Sequence, residues 1–434
     1  MGGDVLLFNF IVYLVTTLLF WKKRACLDLY LLLWIAYTII AFLGWYGVYV
    51  GIFGDDTHLG ERFSFFPYLC CYITTFLVTF PFKDLDVSRI EMDFENSNFF
   101  YILIFVLTIC FVLTGILKTI NAYVVANTIG FGQAYDIGHY GGTTDIWRNN
   151  ELVCKFYWLS SFLVEPLKPL YVVFFMLRLT KRHGKKLLNI LCIFVAFWPQ
   201  LVSGVASKGS LFFLVMDIMF FYILFRNKIP ADVKRLFGML GSMMFAGLIV
   251  YVLAIQVSRL EEHRSYSVDT DDANEALLHY LGEPYVNLGT EFYGYVRQHP
   301  MGKRFYPYLF PDSDNKEKYD EKNQQEMFDY WTKYTGVEVT LFSTFWGDFY
   351  IEFGTFGSFL AIIGLLSFFY FLCFKEYWRL SKFPIVLYFY HYIAVWSLFT
   401  AEGQQGTNFI KSLLTIMVVA WLIEKYLSID SDNS

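Results

Sequence analysis

The sequence predicts an all-α, polytopic membrane protein of about eleven transmembrane helices, with one large extracytoplasmic loop between spans eight and nine. Three observations carry that expectation. Apolar runs of about 20 residues, the length that crosses a bilayer as a helix, recur along the chain. Of its 434 residues, 56% are hydrophobic and 17% charged, where a soluble domain is about one quarter charged. The connectors between the runs alternate between basic and charge-poor, the pattern expected of loops on opposite sides of a membrane.

The spans follow in order. Span one, 4–21, lacks a basic leader and reads as a helix rather than a cleaved signal peptide. It ends at the basic "KKR" (22–24), which separates it from span two, 28–52. The charge-poor "GDDTHLGER" leads to span three, 65–82, and "KDLDVSR" (83–89) to span four, 98–117. A first long loop, 118–155, precedes span five, 156–179, where Glu165, Pro166 and Lys168 mark a place for a broken or re-entrant helix. "RLTKRHGKK" (178–186) then leads to span six, 187–203, and the small turn "SGVASKGS" to span seven, 210–225. "RNKIPADVKR" (226–235) leads to span eight, 236–257. The second and larger loop, 258–341, is too polar to span. Span nine, 342–374, "KEYWRLSK" (375–382), span ten, 383–400, "AEGQQGTN" and span eleven, 408–428, complete the plan. The basic connectors are expected in the cytoplasm, which puts the N-terminus and both long loops outside. The chain, 1–434, reads as a single integral membrane domain with loop 258–341 inside it.

The remaining composition mostly excludes. A net charge of −5 with no basic tract gives no reason to expect nucleic acid. The seven cysteines lie in or beside apolar runs, which argues against a disulfide framework and a cysteine-based metal site. No pair of histidines has metal-ligand spacing, and no fixed-period or inverted repeat of the transporter kind is visible.

The informative residues face outward. "VSRLEEHRSYSVD" (257–269) carries Arg259, His263 and Arg264, and "YLGEPYVNLG" (280–289) carries Tyr280, Glu283, Tyr285 and Asn287 mid-loop. "RQHPMGKR" (297–304) adds Arg297, His299, Lys303 and Arg304. Asp348 and Glu352, four apart at the outer end of span nine, share one helix face. Two such carboxylates repel each other and are costly near hydrocarbon. They require a watery cavity, a cationic partner or a proton, and Lys208 in the tight turn and Arg259 are the candidate partners. Plainer alternatives stand beside these. The carboxylates can simply face loop water, and the 259–264 cluster can be a solvated helix end. Gly354 and Ser358 have the small-xxx-small spacing of close helix packing.

Three stretches resemble the O-antigen polymerase (Wzy-type) family of oligosaccharide repeat-unit polymerases. "VSGVASKGSLFFLVM" resembles an outward turn that usually reads Ser-Arg-Gly, with Lys208 where the family tends to have arginine. "YLGEPYVNLG" resembles a Tyr-x-x-x-Pro-x-x-Asn element, and "TFWGDFYIEFGTFGSFLAIIGLL" the aromatic start of the helix after the large loop. The resemblance covers mainly residues 200–370. It implies a multi-pass enzyme of the bacterial cytoplasmic membrane that serves lipopolysaccharide or capsule synthesis. Such an enzyme transfers a growing glycan from undecaprenyl pyrophosphate to a sugar hydroxyl of an incoming lipid-linked repeat unit, without a cofactor. The implied partners are those lipid-linked oligosaccharides and membrane lipid, with a chain-length regulator and a flippase as protein partners. Lys208, Arg259 and Arg264 are then expected to steady the pyrophosphate leaving group. Glu283, Asp348, Glu352 or His263 would accept the hydroxyl proton, and Tyr280, Tyr285, Asn287 and Arg297 would orient sugars. The alternatives are an O-antigen ligase-like transferase, with the same donor and another acceptor, and a transporter or flippase of lipid-linked oligosaccharides.

Overall fold

The fold comes from a computed structural model that describes residues 2–24, 27–53, 64–84, 98–128, 150–180, 185–203, 208–239, 281–305, 324–339 and 343–372, with short helical pieces at 385–387 and 412–419. Helices account for the regular structure of these residues. They are α1 (Gly2–Lys23), α2 (Leu29–Tyr49), α3 (Phe65–Thr79), α4 (Asn98–Thr128), α5 (Glu151–Thr180), α6 (Lys186–Ser203), α7 (Lys208–Phe225), α8 (231–239), α9 (281–287), α10 (Gln324–Thr335) and α11 (Phe345–Leu372). Five segments are long and apolar enough to cross a membrane: Gly3–Lys23, Leu29–Tyr49, Phe65–Lys83, Tyr101–Val125 and Phe345–Phe371. The protein is therefore a helical, membrane-embedded protein. Five such helices among the described residues stand where eleven spans were expected. Most of expected spans eight and ten lies outside the described residues.

The chain forms two compact units. The first comprises Met1–Leu85, Val268–Phe374 and Phe389–Phe409, and the second comprises Asp86–Ser267, Lys375–Tyr388 and Ile410–Ser434.

In the first unit, α1 and α2 form an antiparallel hairpin. Its register is read from Phe20 against Tyr30, Tyr13 against Tyr37 and Phe10 against Trp45. Asp28 caps α2 by accepting the Leu31 N–H at 2.8 Å, which satisfies a backbone donor that the first helical turn leaves unpaired. Hydroxyls inside the hairpin pair with each other, Thr17 with Thr38 at 2.8 Å. Hydrocarbon offers no water to satisfy them. Helix α3 runs parallel to α1, with Phe65 on Phe8 and the Tyr13 hydroxyl 3.0 Å from Thr75 Oγ1. At the far end the Arg24 guanidinium donates to the Lys83 carbonyl at 3.2 Å, so the basic ends of α1 and α3 meet.

The opposite end of this unit is aromatic. There α9 lies against α2 backbone to backbone. A Cβ at Gly282 would sit 2.8 Å from the Leu43 carbonyl oxygen, and one at Gly44 would sit 3.1 Å from the Gly282 oxygen. Only glycine at both positions permits that approach. The Tyr68 hydroxyl donates to the Tyr285 carbonyl at 2.8 Å, and the Tyr285 ring packs edge-on to Tyr13. This corrects the expectation for "YLGEPYVNLG". Residues 281–289 are helical and, past Leu281, buried inside the unit rather than part of an open polar loop.

In the second unit, α5 runs unbroken through Pro166 and Pro169, so the expected break at Glu165–Lys168 does not occur. Polar partners from neighbouring helices meet this weak turn. The Lys168 ammonium donates to Asp217 Oδ2 of α7 at 2.5 Å and to Gln200 Oε1 of α6 at 2.6 Å. It also lies 5.3 Å from the centre of the Phe197 ring. Asp217 is buried. The charge that argued for a broken helix is thus neutralised within the bundle.

Candidate functional site

The site is built where the segment 293–305 folds back onto the start of α11. Thr344 caps that helix, its hydroxyl accepting the Gly347 N–H at 3.0 Å. The cap brings Asp348 into the first turn and Glu352 into the next, so both point the same way. The helix bends at Gly354, whose φ of 70° and ψ of −178° lie outside helical space. This is the cause of the "GTFGS" spacing: Gly354 is a kink and not a helix-packing notch. A Cβ there would meet His299 Nε2 at 3.0 Å.

Segment 293–305 docks on the turn before the kink. Tyr293 packs at a tilt against Trp346 and Tyr350, and the Gly294 N–H donates to the Tyr350 hydroxyl at 3.1 Å. His299 Nδ1 lies 3.0 Å from the Ile351 carbonyl. A carbonyl only accepts, so the bond places a proton on Nδ1. The chain then turns through Met301 and Gly302, both at positive φ (59° and 93°). That turn aims successive N–H groups at α11, an anion-binding nest. Met301 N–H donates to the Glu352 carbonyl at 2.9 Å. Gly302 and Arg304 N–H donate to Glu352 Oε1 at 2.6 and 3.2 Å.

Arg304 completes the arrangement. Its Nε donates to Glu352 Oε2 at 3.1 Å and its Nη2 to Asp348 Oδ1 at 2.5 Å. Nη2 also reaches the Asp348 carbonyl at 3.3 Å, and the guanidinium lies 5.0 Å from the Phe305 ring centre. All three charged side chains are buried, Arg304 at 3% exposure, Asp348 at 5% and Glu352 at 0%. Burial alone would lower the Arg304 pKa, but Asp348 and Glu352 raise it more, so it sits above the usual arginine value. Glu352 is held by three N–H donors and acts as the fastening of the loop. Asp348 is tied to the guanidinium through Oδ1.

The partner cation of the two carboxylates is therefore Arg304, where Lys208 and Arg259 were expected. Lys208 opens α7, with its side chain outside the described residues, as are Tyr280, Arg259, His263 and Arg264. Glu283, Tyr285 and Asn287 lie together on α9. Asn287 donates to Glu283 Oε1 at 2.9 Å, and all three are buried. Arg297 is exposed, and a Cβ at Gly336 would meet its Cδ at 2.7 Å. The turn after α9 reaches the start of α11, where Leu288 Cδ1 lies 3.3 Å from the place of a Gly347 Cβ. The structure thus brings Asp348, Glu352, Arg304 and His299 together, with the turn after α9 reaching the same helix at Gly347. Arg304 and His299 were visible in the sequence as loop charges. The signal that singles them out is the glycine pair, Gly302 and Gly354, that lets loop and helix meet.

Gly354→Ala tests the kink. Forcing a residue with a Cβ into this region of backbone space costs about 1–3 kcal/mol, and the new methyl presses on His299. The expected result is a lower melting temperature and faster hydrogen exchange confined to 299–304. Unchanged exchange there would show that the loop does not depend on the kink.

Comparison of the chain with protein-family models, with curated proteins and with solved structures finds no match.

Proposed function

We propose that the chain is a membrane glycosyltransferase of the lipid-linked oligosaccharide class, working as a repeat-unit polymerase at the outer face of the bacterial cytoplasmic membrane. The observation that carries this reading is a pair of buried carboxylates gathered around a buried guanidinium at one end of a membrane-embedded unit. The basic ends of α1 and α3 mark the other end. By the positive-inside rule that basic end faces the cytoplasm, so the cluster faces outward, at the level of a polyprenyl pyrophosphate headgroup. The same reading keeps the eleven-span topology with 258–341 outside.

In this scheme a hydroxyl of the incoming repeat unit attacks the anomeric carbon of the lipid-linked chain. The new C–O bond forms as the bond to pyrophosphate breaks, and the electron pair leaves with the polyprenyl pyrophosphate. The hydroxyl proton goes to a protein base. Asp348 takes that role, because Glu352 is consumed in holding the loop and Glu283 is bonded to Asn287. Arg304 holds Asp348 in place through Oδ1. Positive charge for the leaving group is the proposed role of Lys208, Arg259 and Arg264, whose side chains lie outside the described residues.

Asp348→Asn keeps the size and the acceptor oxygen for Arg304 but removes the base. It is expected to lower polymer synthesis by about 10²–10⁴, the range for loss of a general base, while the protein melts near the wild-type temperature. Glu352→Gln is expected to lower the melting temperature more than Asp348→Asn does, because it weakens the bonds that hold the loop. The measurement is glycan length on the lipid carrier after reconstitution with lipid-linked repeat units. Wild-type ladders from Asp348→Asn would remove Asp348 as the base. Single-unit transfer to a different acceptor, with no ladder on the carrier, would favour the ligase alternative.

A further inference from the structure

We propose that the basic end of the first unit, where α1 and α3 stop side by side, is a binding site for the headgroup of an anionic phospholipid. The inference stands apart from the glycosyltransferase reading and rests on the geometry of this end alone.

Two apolar spans finish together here. The span Gly3–Lys23 closes on Lys22 and Lys23, and the span Phe65–Lys83 closes on Lys83. The two helices run the same way, and the Arg24 guanidinium donates to the Lys83 carbonyl at 3.2 Å, so their last residues are neighbours. Past α3 the chain tightens into a 3₁₀ turn, Phe80–Asp84. Phe82 of that turn is buried in the unit, while Lys83 is exposed.

The charges at this end are only partly answered. Asp28 pairs with Arg24, whose guanidinium also lies 4.9 Å from the centre of the Tyr30 ring. Lys22, Lys23 and Lys83 are exposed, and among the described residues their ammonium groups have no carboxylate partner. Lys83 Nζ sits 5.7 Å from the Phe80 ring centre, a contact that holds the ammonium near its own helix without neutralising it. Over 22–28 and 83–89 the sequence holds five basic and three acidic residues, so this end is positive on balance.

Charge alone fits any anion, and the apolar surface beside it selects a lipid. Helix α1 exposes Leu18, Leu19 and Trp21 up to its lysines, and α3 with its closing turn exposes Ile73, Phe76 and Phe80 up to Lys83. Trp21 and Phe80 stand just before the basic residues, where aromatic side chains meet the membrane–water boundary. An inorganic phosphate or a nucleotide would find the ammonium groups and nothing else. A phospholipid meets both surfaces, with its acyl chains along the helices and its phosphodiester at the lysines. Lysine is a flexible point charge rather than a rigid fork, so the site selects for headgroup charge and not for one headgroup shape. The ligand class is therefore the acidic phospholipids. Phosphatidylcholine, which carries its own ammonium, is the comparison.

The test places the full-length protein in nanodiscs of phosphatidylcholine that contain a photoactivatable phosphatidylglycerol or, for comparison, a photoactivatable phosphatidylcholine. Crosslinked peptides are mapped by mass spectrometry. The peptides that carry Trp21 and Phe80 should take more label from the glycerol probe than from the choline probe. Lys22→Gln, Lys23→Gln and Lys83→Gln should each cut that preference by about fivefold at low salt, the worth of one basic side chain at an anionic surface. The triple glutamine variant should abolish it. The triple variant Lys22→Arg, Lys23→Arg, Lys83→Arg keeps the charge and should keep the preference. All three side chains are exposed, so both triple variants should melt in detergent as the wild type does. Equal labelling by the two probes in the wild type would overturn the proposal. So would a wild-type preference in the glutamine variant, or its loss in the arginine variant. Inorganic phosphate supplies charge without acyl chains. It should displace the glycerol probe no better than chloride at the same ionic strength, and full displacement by phosphate alone would mean a site for a free anion and remove the lipid.

Discussion

Arg304→Ala is expected to be among the most damaging single substitutions in this protein. It leaves Asp348 and Glu352 buried one helical turn apart with no cation between them. Removing one partner of a buried ion pair typically costs about 3–5 kcal/mol, because the remaining charge is stranded in a medium that cannot solvate it. Here two charges are stranded, and they repel each other. Loop 299–304 also loses the side chain that ties it to α11. The variant should aggregate or melt far below wild type in detergent, followed by size-exclusion profile and tryptophan fluorescence. The triple replacement Arg304→Met, Asp348→Leu, Glu352→Leu removes all the charges at once and should recover most of that stability while remaining inactive. An Arg304→Ala protein that melts like wild type would mean that the guanidinium is not buried between the carboxylates.

The second large effect is expected in the other unit. Lys168→Ala removes the cation paired with Asp217, which is 1% exposed in the middle of α7. The turn of α5 at this point already lacks two backbone donors, because Pro166 and Pro169 have none to give. The loss should again be about 3–5 kcal/mol. Lys168→Met with Asp217→Leu should restore folding by replacing an ion pair with packing. If the pair only braces the bundle, the restored variant should also synthesise polymer. A restored fold without activity would show that the charges themselves are used.

Much of this architecture is legible in the sequence because membranes impose few solutions. Apolar runs had to be helices, and the basic "KKR" and "KDLDVSR" had to lie at one end, where Arg24 and Lys83 indeed meet. Asp348 and Glu352 announced a shared face and a need for a partner. Which cation would answer was not legible, because the answer depends on how a loop folds back over 44 residues of chain to bring Arg304 to Asp348. Helix α9 escaped notice for a related reason. Its polar residues, Glu283 and Asn287, satisfy each other, and its burial depends on two glycines in different segments meeting. A hydropathy reading counts such residues as surface.

The bend at Gly354 also divides its helix into two environments. Below it, 355–372 rises about 27 Å at 1.5 Å per residue, close to the ~30 Å thickness of a hydrocarbon core. That stretch exposes Phe356, Leu360, Ile363, Phe368, Tyr370 and Phe371, the side chains a lipid tail would meet. Above the bend, 345–352 is buried in protein throughout. One continuous stretch of sequence is thus a mooring in its lower part and a mast in its upper part. Asp348 and Glu352 stand on the mast, enclosed by protein.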